Sequence, residues 1–383
     1  MEMKLKLQES LALFRLRYTT DKKFRAITLS YTVLGACVVT ALSYATAAFF
    51  DQNRRPTDSL PIATAAVPTA KATPTATPKP ALAPSLLDGT MQPLGQEDIE
   101  PLAVMIENHP DARPQYGLGT ASQVYEAIAE GGITRFMAIF RDPNQNVRVG
   151  PVRSARTYYV NFAREFGPLY AHAGGNRDAL DLIPTVNLHD LDGLIIGNPI
   201  FFRDTSRGVA SEHTLFSRTD LLWNYATDRL KISKQANFAT LRYQDSVPTD
   251  LPASQVVTVN FSDSLYAVSW NYDKASNSYL RTMAGTAHRD ANNGEQIRTT
   301  NIVLQTVAKQ STTTKIGENG FIFTTRDASG AVVVIRNGVA IKGTWRQSGN
   351  DRTRYYDSSG NEIALARGTT WVEVVHAETA TTY

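Results

Sequence analysis

Residues 130–156 read EGGITRFMAIFRDPNQNVRVGPVRSAR. A glycine-broken acidic turn at Glu130, Gly131 and Gly132 enters the apolar run 133–140, whose β-branched and aromatic residues predict a strand. Asp142, Pro143 and Asn144 are turn formers, so residues 147–149 are expected to pair back as a hairpin. Gly150 and Pro151 then suit a helix start. With 100° per residue, Ala155, Tyr159, Phe162 and Phe166 fall on one stripe, and Arg153, Arg156 and Arg164 on the opposite side. Open backbone N–H groups and planar guanidiniums at such a start favour a carboxylate or phosphate. The plainer alternative is a solvated basic face paired with Glu130 or Glu165.

Working outward, residues 102–106 predict a strand that ends at Glu107, Asn108, His109 and Pro110, and residues 123–129 predict a second, carrying Tyr125 and Glu126. Residues 169–173 predict a third, which delivers His172 to Gly174, Gly175 and Asn176; two glycines let the backbone approach a ligand closely. Residues 177–183 read as a short helix and 187–193 as a loop. Residues 203–213 are polar and long for a connector, which suggests the border of a site. Ser217 to Asp220 has capping-box spacing and opens a helix to about Leu230, with Leu221, Leu222, Tyr225 and Leu230 inward. Residues 96–247 are therefore expected to form a mixed α/β domain containing the site.

Beyond Pro248 the pattern changes to alternating apolar and polar residues, with Asn337-Gly338 between two apolar runs as a hairpin signal. Residues 248–383 predict a mostly β domain, and the fold class as a whole is α+β. Trp345 and Trp371 there suit either the core or a sugar-binding face.

The N-terminal part has a different texture. Residues 1–25 hold Lys4, Lys6, Arg15, Arg17, Lys22, Lys23 and Arg25 against Glu2, Glu9 and Asp21, whereas residues 26–50 carry no charge. A run of that length crosses a hydrocarbon core of about 30 Å, and the preceding bases keep the N-terminus cytoplasmic. A basic cytoplasmic tail, a single-pass transmembrane helix at 26–50 and a Pro/Thr/Ala-rich spacer at 51–95 are expected, with the folded domains extracytoplasmic. Cys37, the one cysteine, allows a second reading as a lipidated residue after Leu34-Gly35-Ala36; both readings agree on the side of the membrane. The net charge is +3 and the tail alone sums to +4, so the folded part is nearly neutral and lacks the basic footprint of a nucleic-acid binder.

No nucleophile elbow, P-loop, HExxH or Cys-x-x-Cys motif is present. Candidate acid/base groups are Glu107, Glu130, His109, His172 and His213, with Glu126 a further carboxylate, and candidate ligand-binding groups are Arg135, Arg153, Arg156 and Asn176. Three dispersed histidines without a close pair are weak evidence for a metal, and no metal or cofactor is expected. Since nothing pairs a nucleophile with a base, binding of an anionic cell-envelope polymer or an envelope protein is preferred to hydrolysis or transfer on such a polymer. Convergence of Glu107, His109, Glu130 and His172 with Arg153 and Arg156 in one cleft would favour the enzyme.

Several separated stretches share a further likeness: PLAVMIENHPDARPQYGL at 101–118, VYEAIAEGGITRFMAIF at 124–140, VGPVRSARTYY at 149–159 and YAHAGGN at 170–176, then HRD at 288–290, TNIVL at 300–304, GTWR at 343–346 and GTTWVEVV at 368–375. In this order they resemble the YerB-like putative lipoprotein family. The resemblance covers roughly residues 96–380 and implies an exported, membrane-attached bacterial protein of two consecutive parts, with no assigned catalytic residue. Glu212-His213-Thr214 departs from the Pro-His-Asn expected at that loop.

Overall fold

The computed structural model describes residues 81–383 apart from 97, 143–144, 233–234 and 314–318. The basic tail, the apolar run 26–50 with Cys37 and the spacer up to residue 80 lie outside the described residues. Among the described residues no helix is long and apolar enough to cross a membrane.

Ten strands form the central sheet: β1 (Leu102–Glu107), β2 (Gln123–Ile128), β3 (Thr134–Phe140), β4 (Leu169–His172), β5 (His189–Asp192), β6 (Asn301–Thr306), β7 (Ala328–Arg336), β8 (Val339–Gln347), β9 (Arg354–Asp357) and β10 (Thr370–Val375). Their spatial order is β9-β8-β7-β6-β10-β2-β3-β1-β4-β5. The early and late parts of the chain meet where β10 pairs in parallel with β2, setting Trp371 beside Val124 and Glu373 beside Glu126. Only β3 interrupts the parallel run from β6 to β5, being antiparallel to β2 and β1. The carboxyl ends of β2, β1, β4 and β5 therefore open along one edge, and such an edge is where open parallel sheets present ligand sites.

β1, β2 and β3 are buried along their whole length, as continuous apolar runs covered on both faces should be. On one face Val104, Val124, Phe136 and Trp371 share a core with Val257, Val259, Trp270 and Tyr279 of a second, antiparallel sheet built on Val256–Asn260, Ala267–Asp273 and Ser278–Met283. On the other, Met105, Tyr125, Ala127 and Met137 meet Tyr158, Tyr159 and Phe162 of helix α1 (Thr157–Ala163). The fold is thus α+β with strand predominating. The expected strands of residues 248–383 are present, and Asn337 and Gly338, at φ 53° and 73°, make the turn between β7 and β8.

Five local expectations need correction. Residues 82–93, assigned to the spacer, form a small hairpin whose Leu87 enters the core and whose Asp88 accepts from Ser122. Residues 187–193 contain edge strand β5 rather than a loop. Arg148–Val149 pairs with Leu215–Arg218, not back onto β3. Ser217 does not cap the helix Thr219–Arg229, because its hydroxyl donates to the Ile200 carbonyl; the buried face is Thr219, Leu222, Trp223 and Ala226, with Leu230 exposed. Finally, α1 begins at Thr157, six residues beyond Pro151. Gly150 serves a different end: at φ +131° its missing Cβ would lie 2.8 Å from the Val152 nitrogen and 2.9 Å from the Phe216 ring.

Candidate functional site

Between Pro151 and α1 the backbone is stitched across the sheet edge. Arg153 N–H donates to the Met105 carbonyl (2.9 Å), Ala173 N–H to the Arg153 carbonyl (3.0 Å) and Ala155 N–H to the Gly174 carbonyl (2.9 Å). This lays the segment from the end of β1 to the turn after β4. Arg153 and Arg156 consequently serve different places, and the arginine pair expected at one helix start is not formed.

Arg156 lies on one side of the segment. Its Nε and Nη2 both donate to the Glu130 carboxylate, the latter at 2.7 Å, while the buried Arg135 lies 3.7 Å from the same carboxylate and donates to the Ser154 carbonyl at 2.9 Å. Burial alone would push the Glu130 carboxyl up, but the hydrogen bonds and charge of Arg156, with the charge of Arg135, hold it below the usual range. Two guanidiniums thus share one carboxylate. Glu130 and Arg156 border a cleft of about 670 Å³ that Tyr158, Asn176, Phe321 and Ile322 also line. The Oδ1 of Asn176 is buried without a hydrogen-bond partner. Three candidates, Glu130, Arg156 and Asn176, are therefore together at a cleft with polar and aromatic walls, and a fourth, Arg135, is buried beside Glu130.

On the other side are Glu107, His109, His213 and Arg153. The Glu107 carboxylate takes Arg153 Nε on one oxygen (3.1 Å) and His213 Nδ1 on the other (2.9 Å), and the His109 and His213 rings stack with centroids 4.7 Å apart. His172 joins neither group. It is buried between the Gly174 carbonyl and the Asp190 carboxylate, each at 2.8 Å, and so holds the turn before Asn176 against β5. The candidates form two clusters rather than one cleft.

From Asn108, between Glu107 and His109, runs a buried polar network. Asn108 Oδ1 accepts from Arg113 Nε (3.1 Å) and Gln115 Nε2 (2.8 Å), and its amide donates to Thr134 (2.6 Å). Gln115 Oε1 meets His288 Nε2 at 2.9 Å, and His288 Nδ1 accepts from Arg281 Nε at 3.0 Å. Arg281 then donates to Glu126 and, at 2.9 Å, to Glu373. Two carboxyls and one guanidinium cannot all be charged cheaply in a dry interior. Burial, and next the neighbouring Glu126 charge, push the Glu373 carboxyl up to about 8. Burial and the Arg281 charge hold the His288 imidazole well below its ordinary value.

These shifts have opposite consequences. Below about pH 6.5 an unfolded chain protonates residue 288 while the folded one resists, so this histidine favours folding as pH rises to that point. Glu373 acts the other way: from about pH 4.3 to its folded value the unfolded chain releases a proton that the folded chain keeps, and stability falls. Glu165, pushed up to about 7 by burial beside Thr353, adds to the fall until then. Between pH 6.5 and 8 the protein is expected to lose stability. Denaturant titration at the two pH values should show Glu373→Gln removing most of that loss; an unchanged loss would rule Glu373 out as its source.

Residues 89–233 match the family described as "Protein of unknown function (DUF3048) N-terminal domain", and residues 257–372 match its C-terminal domain. The chain belongs to this two-domain family. It is 28% identical over 277 residues to a Bacillus subtilis (strain 168) protein named "Putative lipoprotein YerB", an alignment covering 72% of this chain and 81% of that one. The crystal structure of YerB from Bacillus subtilis superposes with a TM-score of 0.68 at 27% identity, covering 78% of this chain and 99% of that one.

The family motifs account for part of what residue chemistry alone missed. HRD at 288–290 contributes His288 to the network, and the last motif contributes Glu373, a carboxyl inside an apolar strand whose burial should have marked it. Asn108 lies in the motif at 101–118, whereas Arg281 carried no such mark. Trp345 and Trp371 are buried in the core, which removes the sugar-face reading for both.

Proposed function

We propose that the chain is a membrane-attached extracytoplasmic binding module that holds an anionic, hydroxyl-bearing cell-envelope ligand in the cleft of Glu130, Arg156 and Asn176. The observation that carries this is the sharing of one carboxylate at the cleft: Glu130 meets both Arg156 and the buried Arg135, so it offsets only one of them, and Arg156, which lines the cleft beside the oppositely charged Arg177 and Asp178, can also meet a ligand phosphate or carboxylate. The unpartnered Asn176 oxygen suits a hydroxyl or amide donor on the same ligand, as a polyol or sugar polymer provides. Attachment is supported by the basic segment before the apolar run 26–50, read as a single-pass anchor, and by the name of the Bacillus relative; a lipidated Cys37 would hold the domains on the same side.

The test is co-sedimentation of the detergent-solubilised chain with purified anionic wall polymer. Arg156→Ala should lower retention about tenfold or more, the value of one charge-assisted contact. Arg153→Ala, an equal change of charge outside the cleft, should leave it. Equal retention of wild type and Arg156→Ala would end the proposal. The second reading, hydrolysis or transfer on such a polymer, is favoured by the Glu107–His213 pair, since a carboxylate-oriented imidazole is a general base. It requires release of soluble fragments by wild type that His213→Ala abolishes.

A further inference from the structure

The stacked histidines have a chemistry of their own, independent of the cleft. His109 follows β1 at the sheet edge, and His213 closes the turn Ser211–His213, which the departure at Glu212-His213-Thr214 had left without a role. One nitrogen of each ring and one carboxylate oxygen of Asp111 lie within 4.8 Å of one another. The Glu107 carboxylate is an acceptor, so it favours the His213 tautomer with the proton on Nδ1, in which Nε2 carries the lone pair. That relay from carboxylate to imidazole is the one that orients metal-bound histidines. Arg153 occupies the other oxygen of Glu107 and so keeps this carboxylate as an orienting group.

We propose that His109, Asp111 and His213 bind a divalent transition-metal ion of the zinc class, with Glu107 as the positioning residue for His213. Two imidazole nitrogens and one carboxylate oxygen form a borderline-soft donor set, which zinc, cobalt or nickel accepts and magnesium or calcium does not. Three protein ligands leave a fourth tetrahedral position for water or an external group. Rigidity and adjustability are divided between the ligands: the His213 side chain is 8% exposed and held by Glu107, His109 is stacked on it with Nδ1 accepting from the Asp111 N–H, and the Asp111 side chain, 56% exposed, can turn toward an ion. Of the nearby charges, the Glu107 carboxylate is paired with Arg153, the Asp111 carboxylate lies beside His109, and Glu212 is within electrostatic reach of Arg153, His213 and His109. Arg207 brings a second guanidinium to the loop, donating to the Asp111 and Arg113 carbonyls.

The experiment uses the full chain in detergent, without a histidine tag, stripped with chelator and titrated with zinc by calorimetry and with cobalt by visible absorption. The expected result is one saturating ion per chain, a tetrahedral cobalt spectrum and a raised unfolding midpoint with zinc. Asp111→Asn, at an exposed position that leaves folding intact, and His109→Ala should each lower affinity by at least tenfold. Glu107→Gln should lower it about 10–100-fold while keeping the cobalt spectrum tetrahedral, as loss of an orienting partner does and loss of a ligand does not. Zinc binding that is equally strong in the His109→Ala/Asp111→Asn double variant, or no saturable binding by the wild type, would overturn the proposal.

Discussion

Arg281→Ala is expected to cost about 3–5 kcal/mol of stability, the usual cost of removing one partner from a buried charge cluster. The guanidinium is fully buried and engages Glu126, Glu373 and His288, with Trp371 beneath it at 4.4 Å and Trp270 at 5.0 Å. Alanine would leave the Glu126 carboxylate without its cation and His288 without its donor. Arg281→Lys keeps the charge but cannot reach three partners in one plane, so it should recover only part of the loss. Replacing the cluster as a unit, with Arg281→Met, Glu126→Gln and Glu373→Gln, should recover more than Lys does, because the penalty arises from an orphaned charge rather than a missing attraction. Urea unfolding of the four proteins distinguishes these outcomes, and a cost below about 1 kcal/mol for Arg281→Ala would show the cluster to be dispensable. The consequence extends to the cluster of Glu107, His109 and His213, since the network continues through His288 and Gln115 to Asn108, between Glu107 and His109.

The contrast between what local sequence conveys and what folding adds is clearest at Arg153 and Arg156. Three residues apart, they read as one face of a helix, and the stripe of Tyr159, Phe162 and Phe166 beyond them is indeed buried as that periodicity requires. Yet residues 152–156 are extended, and in an extended chain an odd separation sends side chains to opposite sides, here to Glu107 and to Glu130. The hydrophobic period identified the inward face but not where the helix began. Strand 133–140 and the Asn337-Gly338 turn were legible because their signals are local. The parallel pairing of β10 with β2 and the meeting of Glu107 with His213 join residues distant in sequence, and no periodicity encodes such contacts. β5 was missed for a related reason: HDLD is polar because an edge strand can face solvent, and polarity in sequence looks like a loop.

Trp371→Ala is expected to cost about 3–5 kcal/mol, the range for truncating a large buried aromatic. A tryptophan that stacks a sugar needs an open face, and this one is only 2% exposed, with both neighbours edge-on: Phe136 at 5.7 Å and Trp270 at 5.1 Å. Its indole N–H has no hydrogen-bond partner, so the whole cost comes from lost packing and from the cation above the ring, not from a broken hydrogen bond. Trp371→Phe keeps an aromatic face beneath Arg281 and should cost clearly less. Wall-polymer retention by any folded fraction should be unaffected, which separates a core role from a binding one. Because ring and guanidinium are each part of the other's environment, Arg281→Ala and Trp371→Ala should be less than additive: once one is gone, removing the second forfeits an interaction already lost. Strict additivity in a double-mutant cycle would mean that the ring serves the β10–β2 junction by volume alone, with no energetic coupling to the charge it covers.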